Sequence, residues 1–213
     1  MTMKATKDDT LLTPENHALL LIDHQYLQLL ALRSHPNEAV VNNAVFLAKA
    51  AKVFDVPTLF TTAFAERQAL FKELQAVHPE QVPIDRTGLN SWDDSRVRQW
   101  VKQTGKQKLV MAGLWTEVCL SMPVLSTLAA GYEVYFVTDA SGGTEEGHER
   151  GVQRMIQAGA RPLTTIAYVS ELQRDWSRPS AEAIAELFAE HGGGFGQGLR
   201  WEWQLLGLKE GTR

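Results

Sequence analysis

The sequence predicts an open α/β sandwich, a parallel sheet covered by helices on both faces. Three observations predict it: short continuous apolar runs, helical stretches of about 10 to 15 residues between them, and glycine or proline at the junctions. The run HALLLID (17–23) reads as a buried strand closed by a polar residue, followed by helical spacing through Leu47, Ala50 and Ala51 to Phe54. PTLFTTAF (57–64), opened by proline and rich in β-branched and aromatic residues, is a second strand. A helical stretch from about Glu66 to Val77 is expected to stop at His78-Pro79. QVPIDRTG then holds a short strand running out at Arg86, and Asp93 or Asp94 caps a helix over 95–104 that ends at Gly105.

KLVMAGL (108–114) is the clearest buried strand, and Thr116 is the expected cap of a helix from Glu117 to Ala130 ending at Gly131. EVYFVTDA (133–140) repeats the pattern, with a helix from Thr144 or Glu145 to Ala158 and a last strand in ARPLTTIAYV (160–169). Residues 179–191 read as an amphipathic helix. The glycine cluster after it has neither the following Lys-Ser or Lys-Thr nor the leading strand of a phosphate cradle, so it reads as a flexible hinge. Trp201 and Trp203 are too apolar for a free tail, and the arm from about 177 to 213 is expected to pack on its own domain or on a neighbouring subunit. The whole of 1–213 reads as one domain carrying that arm.

With 44% hydrophobic and 22% charged residues, the composition excludes a disordered, collagen-like or disulfide-framework protein. A net charge of -4 without long runs of either sign offers nothing to nucleic acid. The longest apolar run near the N-terminus, Ala18 to Ile22, is far short of the roughly 20 residues that cross a bilayer, so no membrane association is expected. The first sixteen residues lack a signal-peptide apolar region, and a cytoplasmic location is expected. The single cysteine, Cys119, excludes an intrachain disulfide and is either a buried small hydrophobe or a reactive thiol.

In an open parallel sheet ligands bind at the carboxyl ends of the strands, near the reversal of strand order. Those ends present Asp23, Phe64, Arg86, the 115–119 segment and Asp139. Cys119 falls in the first turn of its predicted helix, where free N–H groups and the helix dipole lower a thiol's pKa below about 8.5. Arg86 acts in the same direction; an ionised Asp23 opposes it but can take the thiol proton and later return it to a leaving group. Each residue also has a structural explanation: a packed thiol, a capping aspartate, a solvated arginine. Spacing alone does not separate the readings.

Four ordered strings narrow the choice: LLLIDHQ (19–25), R-x-G-x-N-x-W-D (86–93), AGLWTEVC (112–119) and VTDAS (137–141). With E-L-x-R-D-W (171–176) they resemble the isochorismatase-like cysteine hydrolase superfamily, most closely its YcaC-like branch, from about Leu11 to Trp176. The resemblance implies a six-stranded parallel sheet, Asp23 as general base and acid, and Cys119 as a nucleophile forming a thioester-type acyl-enzyme. It also implies a cis peptide at Leu114-Trp115 and an oxyanion hole made by the N–H groups of Trp115 and Cys119. The reaction implied is hydrolysis of a C–N bond in a small amide or related molecule, by a homo-oligomer, in this branch often an octamer.

Many amidases of the superfamily have lysine as third catalytic member; here Arg86 stands, as in the YcaC-like branch, and guanidinium cannot shuttle a proton, so its role is electrostatic. The nicotinamidase members carry an Asp-x-His metal motif. None of the six histidines forms an H-x-H, D-x-H or H-E-x-x-H pattern, so no catalytic metal and no cofactor are expected. Gln25, Phe64, Asn90, Trp92 and Trp115 are the expected lining of a small, mostly apolar substrate pocket, although Phe64 and Trp92 also suit a core or subunit interface. Asp139 is left as a cap for the next turn. The rival function is a non-catalytic or redox-responsive protein retaining the fold. A dinucleotide-binding domain lacks its G-x-G-x-x-G, and a serine hydrolase its G-x-S-x-G.

Overall fold

The computed structural model describes residues 10–211. Six strands form one parallel sheet: β1 (His17–Ile22), β2 (Thr58–Ala63), β3 (Ile84–Arg86), β4 (Lys108–Gly113), β5 (Glu133–Val137) and β6 (Arg161–Leu163), in the order β3-β2-β1-β4-β5-β6. Strand residues alternate between two cores. Leu19, Leu21, Phe60, Val110 and Ala112 pack beneath α2 (Asn37–Val53), α7 (Thr165–Gln173) and α8 (Ala181–His191). Leu20, Ile22, Leu109, Met111 and Phe136 face α4 (Ser95–Thr104), α5 (Ser121–Ala129) and α6 (Glu145–Gln157). Both sides are buried, which is why these strands read as unbroken apolar runs rather than alternating ones. Each fully buried Leu, Ile or Phe contributes roughly 1.5–3 kcal/mol.

Local chemistry sets the element ends. Asp94 caps α4 by accepting from the Arg96 N–H at 2.8 Å, and Gly105 ends it at φ 67°. The Thr144 hydroxyl caps α6 through the Gly147 N–H. No helix among the described residues is long and apolar enough to cross a membrane.

Six expectations are corrected. The helical segment after β1 is two pieces, α1 (Tyr26–Leu29) and α2, separated by a loop that carries Pro36. The stretch expected to be helical over 66–77 keeps only α3 (Lys72–Gln75), because Phe64 takes φ 52° and the Gln25 amide grips the backbone of Ala63 and Gln68. The helix expected from Glu117 opens instead as a π-helical turn, Thr116–Leu120, before α5; Trp115 precedes it, and the Thr116 hydroxyl meets His148 Nδ1 at 2.8 Å rather than capping. The last strand is only three residues long. Thr164 caps α7, and Asp139 accepts from both the N–H and the hydroxyl of Thr165, so Asp139 serves this distant helix start and not the next turn of its own segment. The glycine-rich segment is no hinge: it lies in α9 (Gly193–Leu206), where Leu199 and Trp203 pack toward α8. At Gly196 a Cβ would stand 2.3 Å from the Phe188 carbonyl oxygen, so glycine is what lets the two helices approach.

Candidate active site

Strand order reverses between β1 and β4, and the register sets Ile22 beside Gly113. A Cβ on Gly113 would fall 2.8 Å from the Ile22 carbonyl oxygen, so the close approach of the two strands requires glycine there. Asp23 and Cys119 follow from the ends of this strand pair, at the place where a doubly wound sheet opens its crevice. The Ser141 hydroxyl, from the VTDAS string, accepts from the Gly113 N–H at 3.1 Å and donates to the Val137 carbonyl at 2.7 Å. The Leu114 N–H reaches the Ile22 carbonyl, and the Thr116 N–H reaches that of Gly142. Between them the Leu114-Trp115 peptide is cis.

Asp23 sits at φ 56°, a left-handed conformation unusual outside glycine, and its N–H is held by the Thr61 carbonyl at 3.0 Å. One carboxylate oxygen, Oδ1, accepts from the Thr61 hydroxyl at 3.1 Å; the other, Oδ2, accepts from an Arg86 terminal nitrogen at 2.6 Å. The second terminal nitrogen of Arg86 donates to the Gly88 carbonyl. Both members of the ion pair are buried. The Cys119 thiol lies beside this pair, close enough that both Asp23 and Arg86 act on its titration. The structure therefore brings together the three residues singled out from the sequence, and adds Thr61.

Electrostatics here run against the expectation of a depressed thiol pKa. Burial, followed by the negative charge of Asp23, pushes the Cys119 thiol up to about 12, and Arg86 offsets only part of this. The segment that carries it is a π turn rather than the expected first turn of an α-helix, and Cys119 is only 7% exposed. Burial also raises the Asp23 carboxyl, against the pull of Arg86. The resting arrangement is a protonated thiol beside a carboxylate held by a permanent cation.

The remaining candidates disperse. Trp115 is half-buried, with its indole N–H donating to the Gln28 carbonyl at 2.8 Å. Gln25 is buried and its amide is taken up by the backbone at the β2 end, Ala63 and Gln68, so it braces the site. Trp92 belongs to the same packed core as Cys119 and meets Tyr132 edge-on at 5.5 Å. Asn90 starts the short 3-10 turn Ser91–Asp93 and donates to the Ser126 hydroxyl at 3.0 Å. Phe64 lies at the exposed end of β2 beneath the Arg67 guanidinium. An open cavity of about 440 Å³ reaches Arg86 from outside and is lined by Asp85, Gly88, Asn90, Asp93 and Arg96. Among the described residues, no group of three or more His, Cys, Asp or Glu side chains is placed to hold a metal ion. Thr61 went unnoticed in the sequence; the signal was a hydroxyl-bearing pair, Thr61-Thr62, inside an otherwise apolar strand.

The family model for the isochorismatase domain matches residues 17–167, a span that contains every residue of this constellation. The chain belongs to the isochorismatase family. Within that family it is 39% identical over 190 residues to the probable hydrolase YcaC of Escherichia coli, covering 87% of this chain and 91% of the relative. The crystal structure of the Escherichia coli YcaC gene product, described as an octameric hydrolase of unknown specificity, superposes with a TM-score of 0.87 at 36% identity, covering 94% of this chain and all of the other. YcaC from Pseudomonas aeruginosa, crystallised with hexane-2,5-diol and covalent acrylamide, superposes at 0.86 with 32% identity, covering 92% and 99%. The protein is thus an isochorismatase-family hydrolase with the six-stranded parallel sheet of that fold.

Proposed function

We propose that this hydrolase cleaves the C–N bond of a small amide through a Cys119 acyl-enzyme, without a metal or cofactor. The observation that carries the reading is the buried Asp23–Arg86 pair with the only thiol of the chain beside it at the switch point of the sheet. A nucleophile within hydrogen-bonding reach of a base, the base itself oriented by a third group, is the arrangement that covalent catalysis needs.

Asp23 accepts the thiol proton as Cys119 Sγ attacks the substrate carbonyl carbon. The Trp115 and Cys119 N–H groups receive the oxyanion, donors of this kind being worth about 3 kcal/mol each in the transition state. Asp23 then passes its proton to the amine nitrogen as the C–N bond breaks, leaving a thioester. Water attacks that thioester with Asp23 as base, the C–S bond breaks, and the proton returns to the thiol. Arg86 keeps its charge throughout and holds Asp23 ready to cycle between base and acid. A thiol held near 12 makes no standing thiolate, so attack is coupled to proton transfer. This also disfavours a redox role, since peroxide reacts with exposed thiolates. The covalent acrylamide on the Pseudomonas aeruginosa relative, a conjugate-addition electrophile, is consistent with a reactive nucleophile in this branch of the family.

Ammonia release from a panel of small primary amides tests the proposal. Turnover by the wild type, abolished in Cys119→Ala and reduced about 10²-fold or more in Asp23→Asn, is the expected result. Equal release by folded Cys119→Ala would sink it.

A further inference from the structure

We propose that Glu117 is a positioning residue for the nucleophile: its side chain, lodged in a slot left by Gly143, Gly147 and Gly151, fixes the π turn that carries Cys119, a role that rests on Cys119 being the attacking residue. The slot is built by spacing. Gly143 stands just before α6, and Gly147 and Gly151 follow inside it at four-residue intervals, which align them along one side of the helix. A Cβ on Gly143 would fall 2.1 Å from Glu117 Oε2, one on Gly147 2.2 Å from Oε1, and one on Gly151 3.1 Å from the Glu117 Cα and N. The carboxylate thus fills the space of two absent side chains, and the turn's backbone rests on the third.

Backbone conformation does not explain these glycines. None of the three takes a left-handed φ, and the two inside α6 disfavour the helix relative to alanine. Nor is the carboxylate kept there for hydrogen bonding: Oε2 is buried without a partner, and Oε1 lies 3.4 Å from the Thr144 hydroxyl. An unpaired buried oxygen is costly. A small residue at 117 facing alanines on α6 would pack the same two elements with neither cost, so what the arrangement adds is a single fixed seat for the turn.

The turn needs such a seat. The Trp115 carbonyl accepts from the N–H groups of Val118 at 3.0 Å and Leu120 at 3.2 Å, three and five residues on, in place of a regular α-helical ladder. Its other ties also come from the stretch that carries the slot, or close on Glu117 itself. The Thr116 N–H donates to the Gly142 carbonyl at 2.9 Å, the Thr116 hydroxyl meets His148 Nδ1, and the Ser121 hydroxyl donates to the Glu117 carbonyl at 2.9 Å. Two residues beyond Glu117, Cys119 lies beside the Asp23–Arg86 pair. Glu117 therefore acts on the thiol through the backbone between them.

Gly143→Ala tests this without altering either residue, because the added methyl takes the place of the carboxylate and the flexible end of Glu117 is what must move. In the full-length protein, kcat for ammonia release should fall about tenfold or more at little-changed KM and thermal midpoint, since small misplacements of a reacting group cost this much. Glu117→Ala should show the same loss, Glu117→Gln should recover most of it by refilling the slot, and Gly143→Ala added to Glu117→Ala should cost nothing further. Alkylation of Cys119 by acrylamide at fixed pH gives a readout that needs no substrate. Asp23→Asn should speed it several-fold in the wild type by removing the charge that opposes the thiolate, and should change it little in Gly143→Ala, where the thiol has left the pair. Wild-type kcat in both Gly143→Ala and Glu117→Ala, or an undiminished response to Asp23→Asn in Gly143→Ala, would overturn the role of Glu117 and leave the nucleophile standing. Full turnover by Cys119→Ala would overturn both.

Discussion

Asp23 carries three obligations at once: a left-handed backbone, a buried charge paired with Arg86 and a place beside the thiol. Removing its cation leaves that charge uncompensated, so Arg86→Ala should cost about 3–5 kcal/mol in urea unfolding. The same change should raise the midpoint of Cys119 alkylation, while Asp23→Asn should lower it by removing the group that opposes the thiolate. An unshifted midpoint in both variants would separate the thiol from the pair. That Asp23, Arg86 and Cys119 share one edge was legible because strand ends in a parallel sheet have assignable places, and their roles were suggested only by the family motifs. Their protonation was not, since burial of the thiol depends on packing from several elements distant in sequence. Thr61 stayed hidden for the same reason: it faces Asp23 only through β1–β2 pairing.

At the level of elements, Gly113 decides how closely β1 and β4 approach. Gly113→Ala should destabilise the fold by about 1–3 kcal/mol through overpacking against the Ile22 backbone and lower turnover by spreading Asp23 from Cys119. Calorimetry and amide turnover would check it; a variant as stable and active as wild type would contradict the strand-spacing argument. Six strands and most of the helices were readable from apolar runs and their caps. The errors share a cause. The last strand was read too long because β-branched residues in TTIAYV favour strands, whereas Thr164 and Asp139 together start a helix there. The glycine cluster was read as a hinge because propensity counts against glycine, whereas contact with α8 rewards it at Gly196.

For the molecule as a whole, two buried histidines tie stability to pH. Burial lowers both His17, bonded to Tyr168, and His24, bonded to the Ala140 carbonyl, from 6.5 to about 4. Between those values the unfolded chain binds protons that the folded chain does not. Stability is therefore full above about pH 6.5 and falls as pH drops toward 4, by on the order of 3 kcal/mol per histidine. Urea midpoints from pH 7.5 to 4.5 should show this decline, and a flat profile would exclude it. The family could be recognised from ordered motifs spread over most of the chain, but the substrate could not, because pocket shape leaves no motif.

The central claim is that Cys119 is the attacking atom and Asp23 its base. Rapid-quench intact mass spectrometry during turnover of a small amide tests it most directly. An adduct of acyl mass that maps to the Cys119 peptide, disappears on chase and is absent from Asp23→Asn is the predicted result. Ammonia release with no adduct on Cys119 under any quench time, or with an adduct on another residue, would contradict it.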